Sequence, residues 1–194
     1  MTVSQRDSSA RIRLRDPRPN DLGWMAEVAC DPELVGPHNW GGEPRDPAEV
    51  ERDLRARFDA DGLVGIGSGT LIVELDRGVR IGDVSWRPER WGPSTQSSCP
   101  AIGVALLPEH RGQGYGTVAQ RLLVDRLFEH DAGLHRVQSD TAIDNIAEQR
   151  ALSRVGMTVE GRVRDAEYRD GRYHDHLLYS ILRAEWESRR SRPS

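Results

Sequence analysis

The sequence predicts an α+β domain built on a mixed, twisted sheet of about six or seven strands with four helices. Three observations predict it. Period-two segments alternate with segments of helical period, and the elements run strand, two helices, three strands, helix, strand, helix, two strands. One strand–helix–strand crossover lies in the middle. At 194 residues, 37% of them hydrophobic, the chain has the size of one domain with a real core.

Residues 1–9 are polar and Ser-rich and read as a flexible leader. Residues 187–194, in the stretch ESRRSRPS, read as a flexible tail, which leaves 10–186 as the domain. ARIRLRD alternates apolar and charged residues and suits a half-buried first strand. PNDLGWMAEVAC is a helix with Asn20 or Asp21 near its cap, and LVGPHNWGGEPRDP is an irregular loop that can border a cleft. DPAEVERDLRARFDADG is a second helix, with Asp46 as N-cap, Pro47 in the first turn, Glu49 at the capping-box position and Gly62 past the end. TLIVEL and VRIGDVSW, joined by Asp76, Arg77 and Gly78, form an antiparallel hairpin. After the polar connection RPERWGPSTQSSCP, AIGVALL is a fourth strand, where Gly103 marks a bulge or a close backbone contact. From Gly114 to about His130, Val118, Leu122, Leu123 and Leu127 recur at helical spacing. HRVQSDTA is a fifth strand, NIAEQRALSRVGM a fourth helix ending at Gly156, and TVEGRVRD and RYHDHLLYSILR are the last two strands. No internal repeat is present.

The charge balance excludes several classes. The 31 acids and 27 bases are spread along the chain and sum to -4, so no nucleic-acid footprint is expected. No apolar run approaches the roughly 20 residues that cross a bilayer, and MTVSQRDSSARIR lacks the apolar centre of a secretory signal. The chain therefore reads as cytoplasmic, without a membrane partner. Cys30 and Cys99 stand alone and read as reduced bystanders. His174, Asp175 and His176 at a strand start suit a solvated edge or a supporting His–Asp pair better than a ligand set, so no metal is expected.

The strongest local signal is Arg111, Gly112, Gln113, Gly114, Tyr115 and Gly116, between a strand ending at Leu107 and the helix that Thr117 enters. Helix-end amides and glycines that admit a close approach suit a pyrophosphate. Thr117 stands where a dinucleotide fingerprint needs a third glycine, and no Lys precedes it as in a phosphate loop. A plain Gly-rich turn is the alternative.

PEHRGQGYGT resembles the R/Q-x-x-G-x-G/A coenzyme A motif of the GNAT superfamily. Asn145, Gly156 and Met157 match its Asn-x(10)-Gly-Phe pattern, with Met for Phe. Glu160, Gly161 and Arg164 resemble the E-G-x-x-R of the RimJ/RimL branch, and AEYRDGRYHD resembles a further segment of that branch. The resemblance is close over roughly residues 100–185. It implies a GNAT fold splayed between strands four and five, with acetyl-CoA as cosubstrate. The backbone of Val104, Ala105 and Leu106 would pair with the pantetheine arm, and the Gly103 bulge would splay the sheet. Amides from Gly112 through Gln113, Gly114, Tyr115 and Gly116 to Thr117 would hold the pyrophosphate, with charge from Arg111. The Asn145 amide would reach the pantetheine, and the same residue can serve as a helix N-cap.

Acetyl transfer to an amine needs a base, donors for the oxyanion and, in some enzymes, an acid for the thiolate. The resemblance makes Glu167 the leading base. Asp83 is the second choice. The acid positions of the family are occupied by Leu152 and Glu148, so the thiolate leaves toward a backbone amide or water, or Glu148 or Tyr173 stands in. The branch's acceptor loop corresponds to His38, Asn39 and Trp40, and Trp86 is a further acceptor-pocket residue; a satellite hydrophobic cluster is the other reading of these side chains. The expected activity is N-acetylation of a small amine or a protein amino terminus. A catalytically silent coenzyme A-binding module and an acyltransferase with another donor remain alternatives. A homodimer stands open as a partner, because strands near the carboxyl end offer an edge.

Overall fold

The computed structural model describes residues 12–39, 44–65 and 67–191. Seven strands form one sheet: β1 (Ile12–Arg15), β2 (Gly69–Leu75), β3 (Val79–Arg90), β4 (Ser98–Leu106), β5 (Arg136–Ala142), β6 (Thr158–Arg169) and β7 (Arg172–Leu182). Their order is β1-β2-β3-β4-β5-β7-β6, antiparallel throughout except between β4 and β5. Six helices rather than four flank it: α1 (Leu22–Cys30), α2 (Pro32–Val35), α3 (Pro47–Asp61), α4 (Tyr115–His130), α5 (Ile146–Val155) and α6 (Arg183–Arg190).

Of the two additional helices, α2 has a local cause and α6 is held by tertiary contacts. Asp31 caps α2 by accepting from the amides of Glu33 and Leu34, and Pro32 stands in the first turn. Helix α6 takes up residues read as part of a loose tail. Its Trp186 stacks on Phe128 of α4 with ring centroids 5.1 Å apart and donates to Asp125 at 2.7 Å. Arg189 of α6 then donates to the carbonyls of Val155 and Gly156 at the end of α5. Asp46 caps α3 through the Ala48 amide, while Glu49 pairs with Arg52 instead of closing a capping box.

Leu71, Val73, Val84, Trp86 and Ile102 bury one sheet face against Ala119, Leu123, Val124 and Phe128 of α4. The charged face of β1 meets water only in part: Arg13 stays exposed, while Arg15 is drawn in. Arg13 and Arg15 pair with the buried Glu74, and Arg15 also binds the buried Asp21. Arg15, then Arg13, hold the Glu74 carboxyl below its usual range against the opposing effect of burial.

Strands β4 and β5 meet through a single register pair, Ala101 with Gln138. Beyond it they diverge. Gly103 is no bulge, because β3 and β4 stay in step through Ser85 and Gly103. The register shifts lie in the β2–β3 pair at Val73/Glu74 and in β6. Gly82, at φ 156°, serves the close approach expected of Gly103, since a Cβ there would strike the Ala105 carbonyl.

Candidate active site

The divergence of β4 from β5 opens a cleft of about 550 Å³ between the β4 edge, the start of α4, the start of α5 and residues 35–39. The Leu107 amide donates to the Ile81 carbonyl at 2.9 Å, which makes that pair hydrogen-bonded. Antiparallel alternation then directs the N–H and C=O of Ala105 to Asp83, and those of Val104 and Leu106 into the cleft. Ala105 therefore has no free backbone groups for a ligand. Side chains already cap the exposed carbonyls: Asn39 Nδ2 reaches Val104 O at 3.4 Å, and Arg111 Nε reaches Leu106 O at 2.8 Å.

At the top of β4 the chain turns through Gly112 and Gly114, both at positive φ, into α4. Val118 is the first amide of α4 to bond backwards, to Gly114 O at 3.2 Å, so the amides of Tyr115, Gly116 and Thr117 point out of the helix end. Gly112, Gly114, Gly116 and Thr117 line the cleft. The Tyr115 ring lies in the core, and Gln113 Nε2 donates to Glu109 O at 2.8 Å. Arg111 does not direct its charge to this loop. Its guanidinium ties Leu106 O to Leu34 O and so staples α2 to β4.

Asn145 caps α5, accepting from the Glu148 amide at 3.3 Å, and the residue lines the cleft. Glu148 lines the same wall. Burial lifts its carboxyl to about 7, and the Gln120 amide 3.4 Å away offsets this only in part. Asp83 reaches about 6 through burial alone, but it lies on the sheet face away from α4 and does not line the cleft.

Glu167 lies on β6, outside the cleft lining but behind His38 and Asp144, with Oε2 3.2 Å from His176 Nε2 and 3.6 Å from Arg169 Nε. Its neighbours are residues the sequence reading passed over. Arg169, with a side chain 9% exposed, donates to both oxygens of Asp144 and to Pro37 O, and contacts His38. It thereby joins β6, the β5–α5 turn and the 36–39 loop. Burial, then Arg169, lowers the His38 pKa and keeps this ring neutral. His38, Asn39 and Asp144 line the cleft beside this cluster.

Two expected residues lie elsewhere, and a third falls where the structure is not described. Trp40 is outside the described residues. Trp86 packs on the α4 face of the sheet over Gly69, where a Cβ would run into its ring, and lines a separate hollow with Pro88, Cys99 and Leu127. Tyr173 is 64% exposed beside Tyr168 at the tip of the β6–β7 hairpin. His174 and Asp175 form no pair: His174 contacts Arg169 O, while Asp175 binds Arg162 and the Asp165 amide. Alternation along β7 sends the two to opposite faces. Glu160 holds Arg136 and Ser180, so that part of the E-G-x-x-R motif braces the sheet. Among the described residues, no group of three or more His, Cys, Asp or Glu is arranged to hold a metal ion.

Known proteins match this arrangement in sequence and in fold. A 37% identical segment of 86 residues is shared with YdaF of Bacillus subtilis, named as a ribosomal N-acetyltransferase; it covers 44% of this chain and 46% of YdaF. This and similar matches span about half the length of the curated relatives. The p20 protein of Bacillus licheniformis, an uncharacterized N-acetyltransferase, is 23% identical over 91% of this chain and 95% of its own. The fold superposes on the Vibrio cholerae spermidine N-acetyltransferase in complex with CoA and spermine with a TM-score of 0.72, at 20% identity, covering 91% of this chain and 98% of the other. It also superposes on RimL, the ribosomal L7/L12 α-N-protein acetyltransferase, with a TM-score of 0.71 at 17% identity over 90% and 96% of the two chains. Residues 11–158 match the acetyltransferase (GNAT) domain, and the chain belongs to that family.

Proposed function

We propose that this protein transfers an acetyl group from acetyl-CoA to a primary amine. The observation that carries the reading is the edge of β4 at Val104 and Leu106, left without a partner strand and met only by the Asn39 and Arg111 side chains, in line with the glycine-lined start of α4. An extended pantetheine fits such an edge as an added strand, and a pyrophosphate fits the outward amides of Gly116 and Thr117. Asn145 completes the polar wall. Acetyl-CoA, when bound, supplies an acyl group activated as a thioester.

The chain's own residues then move protons. Glu167 takes a proton from the acceptor amine as it attacks, and the protonated share of Glu148 donates toward the departing sulfur. The value of about 7 at Glu148 suits that task, because near neutral pH about half of the groups carry the proton. His38, Asn39 and Asp144 line the acceptor end, with Arg169 fixing the positions of His38 and Asp144. Asp83, on the other sheet face, and Tyr173, at the hairpin tip, both fall away from the reaction. The likeness to YdaF favours a protein amino terminus as acceptor, and the likeness to the spermidine enzyme brings in small amines. Use of acetyl-CoA accords with a cytoplasmic site, and no described helix is long and apolar enough to cross a membrane. A second copy of the chain can pair along β6, whose outer edge is open and carries exposed Val159 and Val163.

Calorimetric titration with acetyl-CoA, followed by a thiol-release assay with spermidine, butylamine and an amino-terminal peptide, tests the proposal. Binding with amine-dependent thiol release is the expected result. Binding without release would favour a silent coenzyme A module, which Leu152 and Glu148 at the family's acid positions also suit. No binding would overturn the assignment of the cleft.

A further inference from the structure

A proton taken up by Glu167 has to leave before the next turnover. Two groups face its Oε2: Arg169 Nε at 3.6 Å and His176 Nε2 at 3.2 Å. A guanidinium has no lone pair to receive a proton and stays charged, so of these two groups the imidazole is the one that can accept it, in competition with solvent at the partly exposed Glu167 side chain. On its other side, His176 Nδ1 lies 2.7 Å from Asp140 Oδ2. Both neighbours are carboxylates, and the shorter contact, to Asp140, draws the hydrogen of the neutral ring to Nδ1, so that the Nε2 lone pair faces Glu167 once Glu167 carries a proton. Asp140 is one-third exposed, and its other oxygen is 3.6 Å from Arg87 at the surface.

This alignment is built into the strand register. Asp140 of β5 stands opposite Leu178 of β7, so His176 is its diagonal neighbour on the same face. On β6, Val163 stands opposite His176, and unbroken pairing would set residue 167 opposite Arg172. The irregularity between Val163 and Glu167 inserts two residues and sets Glu167 opposite His174 instead. Asp165 within it takes φ 50° and donates its amide to Asp175 at 2.8 Å. The irregularity thus draws Glu167 back beside His176.

We propose that His176, oriented by Asp140, receives the proton that Glu167 removes from the acceptor. The amine N–H bond breaks to Glu167 as nitrogen bonds to the acyl carbon. The proton passes to His176 Nε2, leaving an imidazolium between two ionised carboxylates; the Nδ1 proton then goes to solvent beside Asp140, and proton exchange with solvent returns the ring to its Nδ1–H tautomer. The inference rests on the acetyl-transfer reading, with Glu167 as base.

The test uses the full chain as wild type, Glu167→Gln, His176→Gly, His176→Asn and Asp140→Asn, with acetyl-CoA and the three amines above. His176→Gly is expected to lower kcat at least about tenfold, to leave acetyl-CoA affinity within about twofold, and to regain turnover when imidazole is added. Full turnover of His176→Gly, or a loss that His176→Asn repairs without imidazole, would overturn the relay. Should His176→Gly not fold, Asp140→Asn and His176→Asn must each show the loss. An active Glu167→Gln would remove the base itself, whereas an inert Glu167→Gln beside a fully active His176→Gly would remove only the relay. Nitrogen-15 NMR of the imidazole decides even if no amine is turned over: Nδ1–H in the wild type, shifting toward Nε2–H in Asp140→Asn, supports the proposal, and Nε2–H in the wild type overturns it.

Discussion

Glu148 sits in the cleft wall with only the Gln120 amide, 3.4 Å away, to replace lost water. Its carboxyl is held at about 7, against an ordinary value of 4.5. The folded state therefore binds this proton more tightly than the unfolded chain, and stability falls as pH rises through that interval. Glu148→Gln removes the fall. Discounted for partial exposure, the variant should exceed the wild type by about 2 kcal/mol at pH 8 and by little at pH 5. Urea unfolding at the two pH values measures this, and equal gaps would show that Glu148 ionises freely in the fold. The same substitution should slow thiol release, while Glu167→Gln should lower kcat about 100-fold without changing acetyl-CoA affinity. These roles were only partly legible in the sequence. Glu167 was found by resemblance, but Arg169, His176, Asp140 and Asp144 come from three strands and a turn, and only strand register brings them together.

At the scale of elements, the start of α4 and the β1–β2 pair make opposite demands on charge. The α4 end presents amides to a ligand, so Gly114→Val should weaken acetyl-CoA binding at least about tenfold while the domain still folds. Unchanged affinity by calorimetry would count against the loop as the phosphate site. In β1 and β2, Glu74 is buried between Arg13 and Arg15. Removing the carboxylate by Glu74→Ala strands the nearly buried Arg15, and a loss of about 2 kcal/mol in chemical denaturation is expected. Element types were read well from periodicity, and element ends less well. Strands β3, β4 and β6 run longer than predicted because pairing extends them into polar sequence such as RPER. Helix α6 was missed because its apolar face is essentially Trp186, and a single aromatic gives no period.

Across the whole molecule, the two arms of the sheet are joined at one β4–β5 pair and braced on the outside by α6. Trp186 on Phe128 and Arg189 on the end of α5 tie the carboxyl end to both arms. Trp186→Ala should cost about 2 kcal/mol, seen as a lower Tm, and saturating acetyl-CoA should raise the Tm of both proteins by bridging the arms from the cleft side. A ligand that left Tm unchanged at saturation would speak against a site between the arms.

What the sequence determined by itself is what adjacent residues can specify. The alternation of periods set the fold class, and Gly112, Gly114 and Gly116 at a strand–helix junction set the anion-binding end of α4, because helix-end amides and backbone freedom are local properties. Asn145 could be read as a cap for the same reason. Which face a side chain occupies was left to the tertiary structure. Trp86 turned into the core because its strand is registered on Gly69, Ala105 gave its backbone to Asp83, and Arg111 was drawn away from the loop by the carbonyls of Leu34 and Leu106. Those outcomes depend on partners far apart in the chain, and a one-residue change of register would have exchanged them.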